Sequence, residues 1–237
     1  MDLLTELTDR RVFAIIRADR PERALECVRT LTGAGVTALE VSLTTPGAVE
    51  VIARARAESP PSVLIGAGTV LTAAQAEEVA AAGAAFAVTP ALTAGALRAV
   101  ESGLPLLCGA LTPTEVVAAL EFGATGVKVF PAGVHGPRYF RELLAPLPHA
   151  PLVAVGGVDA VAAPEYLAAG ARAVGVGSPL LGDAGRGGDQ AALAARATAL
   201  LAAVGADRAP TSAAAGAAIG TAPGAAAGPR GGAEAGR

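Results

Sequence analysis

The feature that most constrains the fold is an alternation of short apolar runs with alanine-rich stretches, repeated about eight times along the 237-residue chain. The apolar runs predict strands at Val12–Arg17, Val36–Ser42, Val63–Gly66, Phe86–Thr89, Leu106–Gly109, Gly126–Phe130, Leu152–Val155 and Ala173–Gly177. The intervening stretches predict helices at Pro21–Leu31, Pro46–Glu58, Ala73–Ala82, Ala94–Ser102, Pro113–Phe122, Pro137–Leu144, Ala160–Ala169 and Gln190–Ala203. Runs that are apolar throughout are typical of parallel strands buried on both faces. Eight such units predict a (β/α)8 TIM barrel, with a doubly wound sheet as the alternative, because periodicity does not show closure.

The character of the chain changes after about Ala203. From Gly205 to Arg237 it consists largely of Ala, Gly and Pro, with almost no large apolar side chain. Such a segment buries too little surface to offset the entropy lost on ordering. We therefore predict one barrel domain over residues 1–203 and a disordered tail over residues 204–237 that carries no chemistry.

Composition argues against several classes of protein. A net charge of −3 provides no basic surface for nucleic acid. No apolar run is long enough for a membrane span, and the N-terminus lacks the basic flank of a secretory signal. Cys27 and Cys108 show no metal-ligand spacing, so we expect reduced core residues of a cytoplasmic protein.

The chain uses arginine for almost every basic position: 17 of its 18 basic residues are Arg, and Lys128 is the one Lys. Lys128 lies in the apolar strand Gly126–Phe130, where burial would lower its pKa toward that of a usable amine nucleophile. The alternative is a lysine whose stem packs while its ammonium reaches water. Because lysine is rare in the middle of a buried strand, we favour a catalytic role.

A carboxylate interrupts another apolar strand in the same way. Glu40 lies between Leu39 and Val41, and a carboxylate near a neutral amine is suited to moving protons. The alternative is a buried ion pair with Arg17.

Two glycine clusters follow the last two predicted strands. Gly156 and Gly157 come after the seventh strand, and Gly177 and Ser178 end a Gly175–Ser178 segment after the eighth. Barrels often bind phosphate through the backbone N–H groups of these two loops and a short helix N-terminus. The alternative is that the glycines only form tight turns.

Further polar groups lie at strand ends. Arg17 could bind a carboxylate with two hydrogen bonds, and Thr69, in the Gly66–Thr69 segment, could donate from its hydroxyl, unless it is the N-cap of the next helix. Thr89-Pro90 ends the fourth strand. His135 and His149 lie apart, so we expect no metal or other cofactor, and the absence of a nucleophile elbow argues against a Ser–His–acid hydrolase.

From about Leu3 to Ala203 the chain resembles the 2-keto-3-deoxy-6-phosphogluconate / 4-hydroxy-2-oxoglutarate aldolase family. The motifs that carry the resemblance are Ala14–Arg17, Leu39–Val41, Gly66–Val70, Val88–Pro90, Lys128–Pro131 and Val155–Gly157. The resemblance implies a (β/α)8 barrel, commonly a homotrimer, in which Lys128 matches the Schiff-base lysine and Glu40 the acid/base glutamate. It places Thr69, Pro90 and Phe130 in the pyruvate pocket, and Gly156, Gly157, Gly177 and Ser178 in the phosphate loops.

Two positions depart from many gluconate-type members. Thr44 stands where they carry an arginine, so Arg17 becomes the candidate for binding the substrate carboxylate. Val155 stands where they carry a threonine, and the Ala154–Gly157 pattern is shared with the related 6-phosphogalactonate aldolases. The implied substrate is a phosphorylated 2-keto-3-deoxy sugar acid that yields pyruvate and glyceraldehyde 3-phosphate, or 4-hydroxy-2-oxoglutarate that yields glyoxylate.

Two rival functions remain open from the sequence. One is a barrel that binds a phosphate-bearing ligand without covalent chemistry. The other is an isomerase or synthase in which Glu40 is the base and Lys128 acts only through its charge.

Overall fold

A computed structural model describes residues 2–205 of the chain. Its strands are β1 (Val12–Ile16), β2 (Ala38–Ser42), β3 (Leu64–Gly68), β4 (Ala87–Val88), β5 (Leu106–Ala110), β6 (Gly126–Val129), β7 (Leu152–Val155) and β8 (Ala173–Val176). Its α-helices are α1 (Leu3–Arg10), α2 (Pro21–Gly33), α3 (Ala48–Glu58), α4 (Ala73–Ala81), α5 (Ala94–Glu101), α6 (Pro113–Glu121), α7 (Gly136–Leu144), α8 (Ala163–Ala168), α9 (Ser178–Leu181) and α10 (Gln190–Val204). Short 3₁₀ helices cover Ala132–Val134 and Ala184–Arg186.

The eight strands form a closed parallel barrel. Each strand pairs with the next in sequence, and β8 pairs with β1 through Val12↔Val174, Phe13↔Gly175 and Ala14↔Val176. The predicted (β/α)8 barrel is therefore confirmed, and the doubly wound alternative is wrong. Closure leaves no exposed strand edge, and it directs alternate residues of each strand into one enclosed interior.

The alternation divides the apolar side chains into two layers. In β6, Val127 and Val129 belong to the large outer core, between the barrel and its helices. An inner cluster fills the barrel itself, with Phe13, Ile15, Leu64, Phe86, Val88, Leu107, Val153 and Val155 among its members. Most of these interior residues are small or branched, so a chain with 3% aromatic residues still fills its barrel.

Helix α1 has no counterpart among the predicted elements. Asp2 caps it by accepting a hydrogen bond from the backbone N–H of Leu4, and Leu3 and Leu7 are buried in the inner cluster. Arg10 donates to the Thr37 hydroxyl (3.0 Å) and to the Ser62 carbonyl (2.9 Å), both just ahead of strands. The helix therefore closes the amino-terminal end of the barrel and leaves the carboxyl ends of the strands open.

Other predicted boundaries need small corrections. Strand β3 runs to Gly68 rather than Gly66, and α3 begins at Ala48 rather than Pro46. Helix α8 begins at Ala163 rather than Ala160, because the Asp159 carboxylate accepts from two backbone N–H groups and holds residues 159–162 in a turn.

The predicted boundary between barrel and tail falls at the end of the described residues. Helix α10 continues through Val204, one residue beyond the predicted end of the barrel, and the rest of the predicted tail, residues 206–237, lies outside the described residues. The division into two segments thus stays a prediction. Within residues 2–205, no helix is long and apolar enough to cross a membrane.

Candidate active site

Lys128 points into the barrel. Its neighbours Val127 and Val129 pack outward beneath the helices, so the pleat of β6 directs Lys128 inward, where it is 3% exposed. Burial lowers the pKa of its ammonium, the nearby Glu40 carboxylate opposes that change, and the Arg17 guanidinium adds to it. The alternative of an ammonium that reaches water is therefore wrong, and the fraction of neutral amine is raised.

Glu40 is the buried carboxylate of the same interior. It is 0% exposed, and neither carboxylate oxygen has a hydrogen-bond partner among the described residues. Burial raises its pKa, while Lys128 and, to a smaller extent, Arg17 lower it. The alternative, a buried Glu40–Arg17 pair, is not formed as a hydrogen-bonded contact among the described residues. A carboxylate that is buried, unpaired and close to a cation is suited to accepting and returning a proton.

The barrel topology places these two groups face to face. Strands β2 and β6 are separated by three strands in either direction around the barrel, so Glu40 and Lys128 face each other across the interior, and the charge of each affects the pKa of the other. Glu40 pairs in register with Ile15 and Gly66, and Lys128 with Gly109 and Val153. Gly66 and Gly109, beside the two groups, make room for the ring of Phe86 and the backbone of Pro90.

Arg17 lies at the mouth of this interior. It follows β1 with the same inward parity as Ile15, and it is exposed. Its charge affects the pKa of both Glu40 and Lys128, so it is within electrostatic reach of both. A guanidinium at the open end is placed to attract an anionic ligand toward the two buried groups.

Thr69 has a different structural role from the N-cap considered above. The N-cap of α4 is Thr72, which forms a reciprocal capping box with Gln75. Thr69 instead has a positive φ of 62°, in the left-handed region that a β-branched residue rarely adopts. Its hydroxyl lies 3.1 Å from the hydroxyl of Ser42, which lies 2.9 Å from that of Thr44. Strained backbone at a strand end, held by a buried hydroxyl, is a common feature of binding sites.

Two apolar groups flank Lys128. The Phe130 ring centroid lies 5.1 Å from Lys128 Nζ, within the range of a cation–π contact. The backbone of Pro90 packs over Gly109, the register partner of Lys128, so closely that a methyl group at Gly109 would collide with the Pro90 carbonyl. Phe130 therefore lies beside the lysine, and Pro90 lies beside the strand position that pairs with it.

The two glycine loops meet around a cavity of about 290 Å³ at the carboxyl end of the barrel. Gly156 and Gly157 have positive φ values of 90° and 75°, and a Cβ on Gly156 would lie 2.9 Å from the Phe130 ring. The Gly133 N–H donates to the Gly156 carbonyl (2.8 Å), which fixes the loop. The cavity is lined by Ile15, Arg17, Phe130, Val155, Gly156, Gly157, Val158, Gly175, Gly177, Ser178 and Pro179.

The structure thus brings most of the predicted residues to one end of the barrel. Arg17, Phe130, Val155 and the predicted loop residues line the cavity, whereas Glu40, Lys128, Thr69 and Pro90 lie outside its lining. Sequence reasoning missed Ser42, which is fully buried; its position two residues after Glu40, on the same strand face, was the available signal.

His135 and His149 take no part in the site. His135 stacks on Tyr139 beside α7, and both histidines are exposed. Cys27 and Cys108 are free and buried, as predicted. Among residues 2–205, no three His, Cys, Asp or Glu residues converge as a metal site.

Comparison with known proteins identifies relatives of this chain. The family model described as KDPG and KHG aldolase matches residues 4–195. A probable 2-dehydro-3-deoxy-6-phosphogalactonate aldolase of Rhizobium meliloti is 41% identical over 73% of this chain and 82% of the relative. A 2-dehydro-3-deoxy-phosphogluconate aldolase of Treponema pallidum is 38% identical over 67% and 76%. The crystal structure of KDPG aldolase from Legionella pneumophila, with pyruvate captured at low pH as a covalent carbinolamine intermediate, has a TM-score of 0.77 and 28% identity, over 84% of this chain and 98% of that one.

Proposed function

This chain belongs to the KDPG and KHG aldolase family of carbon–carbon lyases, and we propose that it works as a class I aldolase through a Schiff base on Lys128. The substrate that we propose is a 2-keto-3-deoxy-6-phospho sugar acid, with 4-hydroxy-2-oxoglutarate as a smaller alternative. The products are pyruvate with glyceraldehyde 3-phosphate, or pyruvate with glyoxylate.

The observation that carries the proposal is the pairing of Lys128 with Glu40. The only lysine of the chain is 3% exposed inside a barrel, has a lowered pKa, and faces a carboxylate that is wholly buried and without a hydrogen-bond partner among the described residues. An arginine in place of Lys128 would keep the charge but could not act as a nucleophile. The carbinolamine trapped in the Legionella relative supports the same covalent route here.

The first half of the reaction forms the electron sink. The neutral amine of Lys128 adds to the C2 ketone, and loss of water from the carbinolamine gives an iminium ion. Glu40 takes the proton from the C4 hydroxyl, and the electron pair of the C3–C4 bond moves to the iminium nitrogen as the enamine forms. The aldehyde fragment then leaves.

The second half restores the enzyme. Glu40 returns a proton to C3 of the enamine, which regenerates the iminium ion. Water adds to that ion, and pyruvate leaves Lys128. The raised pKa of Glu40 suits both steps, because the same carboxyl must accept a proton and then donate one near neutral pH.

Binding is divided between two ends of the site. We assign the substrate carboxylate to Arg17 and the hydroxyl of Thr69, beside the Lys128 pocket that Pro90 and Phe130 flank. We assign the phosphate to the backbone of Gly156, Gly157, Gly177 and Ser178, around the 290 Å³ cavity. The positive φ values of Gly156 and Gly157 allow the close backbone approach that such a cradle needs.

The epimer preference is the finer part of the proposal. Val155 lines the cavity and offers no hydrogen bond to a C4 hydroxyl, so we propose that both the gluconate and the galactonate derivative are cleaved. The relatives include aldolases named for each.

We further propose that the enzyme is a cytoplasmic homotrimer, as the resemblance to its family implies. The single chain leaves several large apolar side chains exposed, including Leu92, Leu97 and Val134, which are candidates for contacts between copies. Light scattering should give three times the chain mass of 23.0 kDa, and a monomer would contradict the assembly.

The covalent step is tested by borohydride reduction in the presence of pyruvate, followed by intact-mass measurement. We expect one reduced pyruvyl group per chain, located on Lys128 by peptide mapping. Since Lys128 is the only lysine, the only competing primary amine is the α-amino group. Lys128→Arg is the matched control and should form no adduct.

The rival functions make different predictions in the same experiment. A non-covalent binding barrel, or an isomerase that uses Lys128 only for its charge, would form no adduct while still binding a phosphorylated ligand. An adduct that persists in Lys128→Arg would also contradict the assignment of Lys128 as the Schiff-base residue.

A further inference from the structure

Four of the five glycines in the barrel strands leave space that is taken by a ring, by backbone or by a carboxylate side chain. The space at Gly66 is taken by the ring of Phe86, that at Gly175 by the ring of Phe13, and that at Gly109 by the backbone of Pro90. The space at Gly68 is taken by the side chain of Glu40. Of these four, Gly68 alone makes room for an ionisable group.

The strand register shows which way Glu40 extends. Glu40 is opposite Gly66, whereas Gly68 is opposite Ser42, one inward-facing position closer to the open end of the barrel. A Cβ built on Gly68 would lie 2.6 Å from Glu40 Cγ, and closer still to its Cδ and Oε1. The side chain of Glu40 therefore leans across β3 toward the carboxyl end.

No hydrogen bond or close ion pair on the described chain fixes the direction of this carboxylate. Neither oxygen has a hydrogen-bond partner, and neither forms an ion pair within 4.0 Å in residues 2–205. A group held by no polar contact takes the direction that the surrounding packing allows. At Glu40, that direction is the space beside Gly68.

We propose that Gly68 is a positioning residue for the aldol reaction, because its missing side chain creates the space that directs the Glu40 carboxylate toward the substrate end of the barrel. The inference rests on the proposed function and deepens it. A methyl group at Gly68 would collide with the flexible side chain of Glu40 from Cγ outward, so we expect a folded barrel in which the proton acceptor is misplaced. A displacement of about 1 Å at a reacting group costs on the order of 10²-fold in rate.

The test uses a partial reaction that separates the two groups. On the Lys128–pyruvate iminium ion, the Glu40 carboxylate accepts a proton from C3; the C–H electron pair forms the enamine double bond, and the iminium nitrogen takes up the displaced pair. In D₂O, the Glu40 carboxyl exchanges that proton for a deuteron from solvent and then returns the deuteron to C3. The rate at which the pyruvate methyl protons exchange, measured by NMR, therefore depends on proton transfer by Glu40. The equilibrium yield of borohydride-trapped adduct depends instead on iminium formation at Lys128.

In Gly68→Ala we expect exchange to fall by about 10²-fold, the range of a misplaced general base, with an unchanged equilibrium yield of trapped adduct. The matched control is Gly126→Ala, another strand glycine of the barrel, whose added methyl meets Leu107 Cδ2 at 2.9 Å and does not touch Glu40. That control should exchange at the wild-type rate. In a Glu40→Gln background, Gly68→Ala should cause no further loss of exchange.

Several results would overturn the proposal. Exchange at the wild-type rate in Gly68→Ala, or a folded Gly68→Ala protein that loses the trapped adduct, shows that Gly68 does not act through Glu40. If Gly68→Ala does not fold, recovery of folding in Gly68→Ala/Glu40→Ala supports the contact, and failure of both variants overturns it. Absence of an adduct in the wild type is a different result, which refutes the proposed function itself.

Discussion

At the scale of single residues, Lys128 experiences opposing effects on its protonation. Burial and the Arg17 cation favour the neutral amine, and the Glu40 carboxylate favours the ammonium. The net pKa is lowered, so neutral Lys128 is present at a lower pH than a free lysine amine would be, whose pKa is about 10.4. Removing either charged neighbour should move the pKa in a direction set by the sign of that charge.

Arg17→Met removes a positive charge that disfavours the ammonium, so it should raise the pKa of Lys128. The pH midpoint for acylation of Lys128 by a neutral reagent, read from peptide masses, should therefore move to higher pH. Acylation is preferable to a pyruvate assay here, because Arg17 is also proposed to bind the substrate carboxylate. Arg138→Met is the matched control; Arg138 is exposed on α7 and pairs with Glu142, so no change is expected. A midpoint that stays or falls in Arg17→Met would show that Arg17 does not act on Lys128.

Val155→Thr tests whether residue 155 discriminates between substrates that differ in configuration at C4. The new hydroxyl can add one hydrogen bond, worth about 0.5–1.5 kcal/mol, which is a factor of up to roughly ten in relative rate. We expect the gluconate-to-galactonate ratio of kcat/KM to rise, starting from a wild type that cleaves both epimers. Val153→Thr, on the same strand and buried outside the cavity lining, should leave that ratio unchanged. A wild type that cleaves the gluconate form alone, or an unaltered ratio in Val155→Thr, would mean that Val155 does not discriminate at C4.

At the scale of secondary-structure elements, the two ends of the barrel have different tasks. Helix α1 closes the amino-terminal end through Leu3 and Leu7, while the loops after the strands form the site at the other end. A barrel divides stability and catalysis between its ends in this way. Changes in α1 should therefore affect the free energy of unfolding rather than the chemistry.

Leu7→Ala should destabilise the protein by roughly 2–5 kcal/mol, because Leu7 is 0% exposed and its loss leaves a cavity. Urea unfolding measures this, while kcat/KM of the folded protein should stay at the wild-type value. Val161→Ala is the control, since Val161, in the turn before α8, is 81% exposed, and it should change stability by no more than about 0.5 kcal/mol. A loss of kcat/KM in folded Leu7→Ala would show that α1 influences the site.

At the scale of the whole molecule, helix α10 marks where the barrel domain ends along the sequence. Val204, its last residue, is 2% exposed, and its carbonyl accepts a hydrogen bond from Arg11 at 2.8 Å. Arg11 follows α1, so this contact joins the last helix to the start of the chain. The barrel thus extends at least one residue past the boundary predicted from composition.

Two truncations should separate the barrel from the segment after it. Ending the chain after Gly205 should leave activity, melting temperature and oligomeric state unchanged, because residues 206–237 contain almost no core-forming side chains. Ending it after Ala203 also removes Val204, and burial of a valine side chain contributes roughly 1.5 kcal/mol or more. The shorter protein should therefore melt at a lower temperature. An inactive or unfolded protein ending at Gly205 would refute the predicted dispensability of the tail.

The sequence by itself determined the barrel units and which residues of a strand share a face. Strand alternation is a local property, so Lys128 is separated from Val127 and Val129, and Glu40 from Leu39 and Val41. Because the strands are apolar on both faces, the sequence did not show which of these faces lines the barrel. Gly156 and Gly157 could likewise be predicted to lie in a loop, because two consecutive glycines directly after an apolar strand are typical of a turn.

Only the tertiary structure decided contacts that depend on the register between strands. Closure of β8 on β1, the approach of Glu40 to Gly68 and the Ser42–Thr69 contact all join residues that are neighbours only after pairing. The role of α1 was equally hidden, since Leu3 and Leu7 are buried only because the barrel has an open end to close. Short-range patterns report the period of a strand or helix, whereas the packing of one strand against another is fixed by the whole closed sheet.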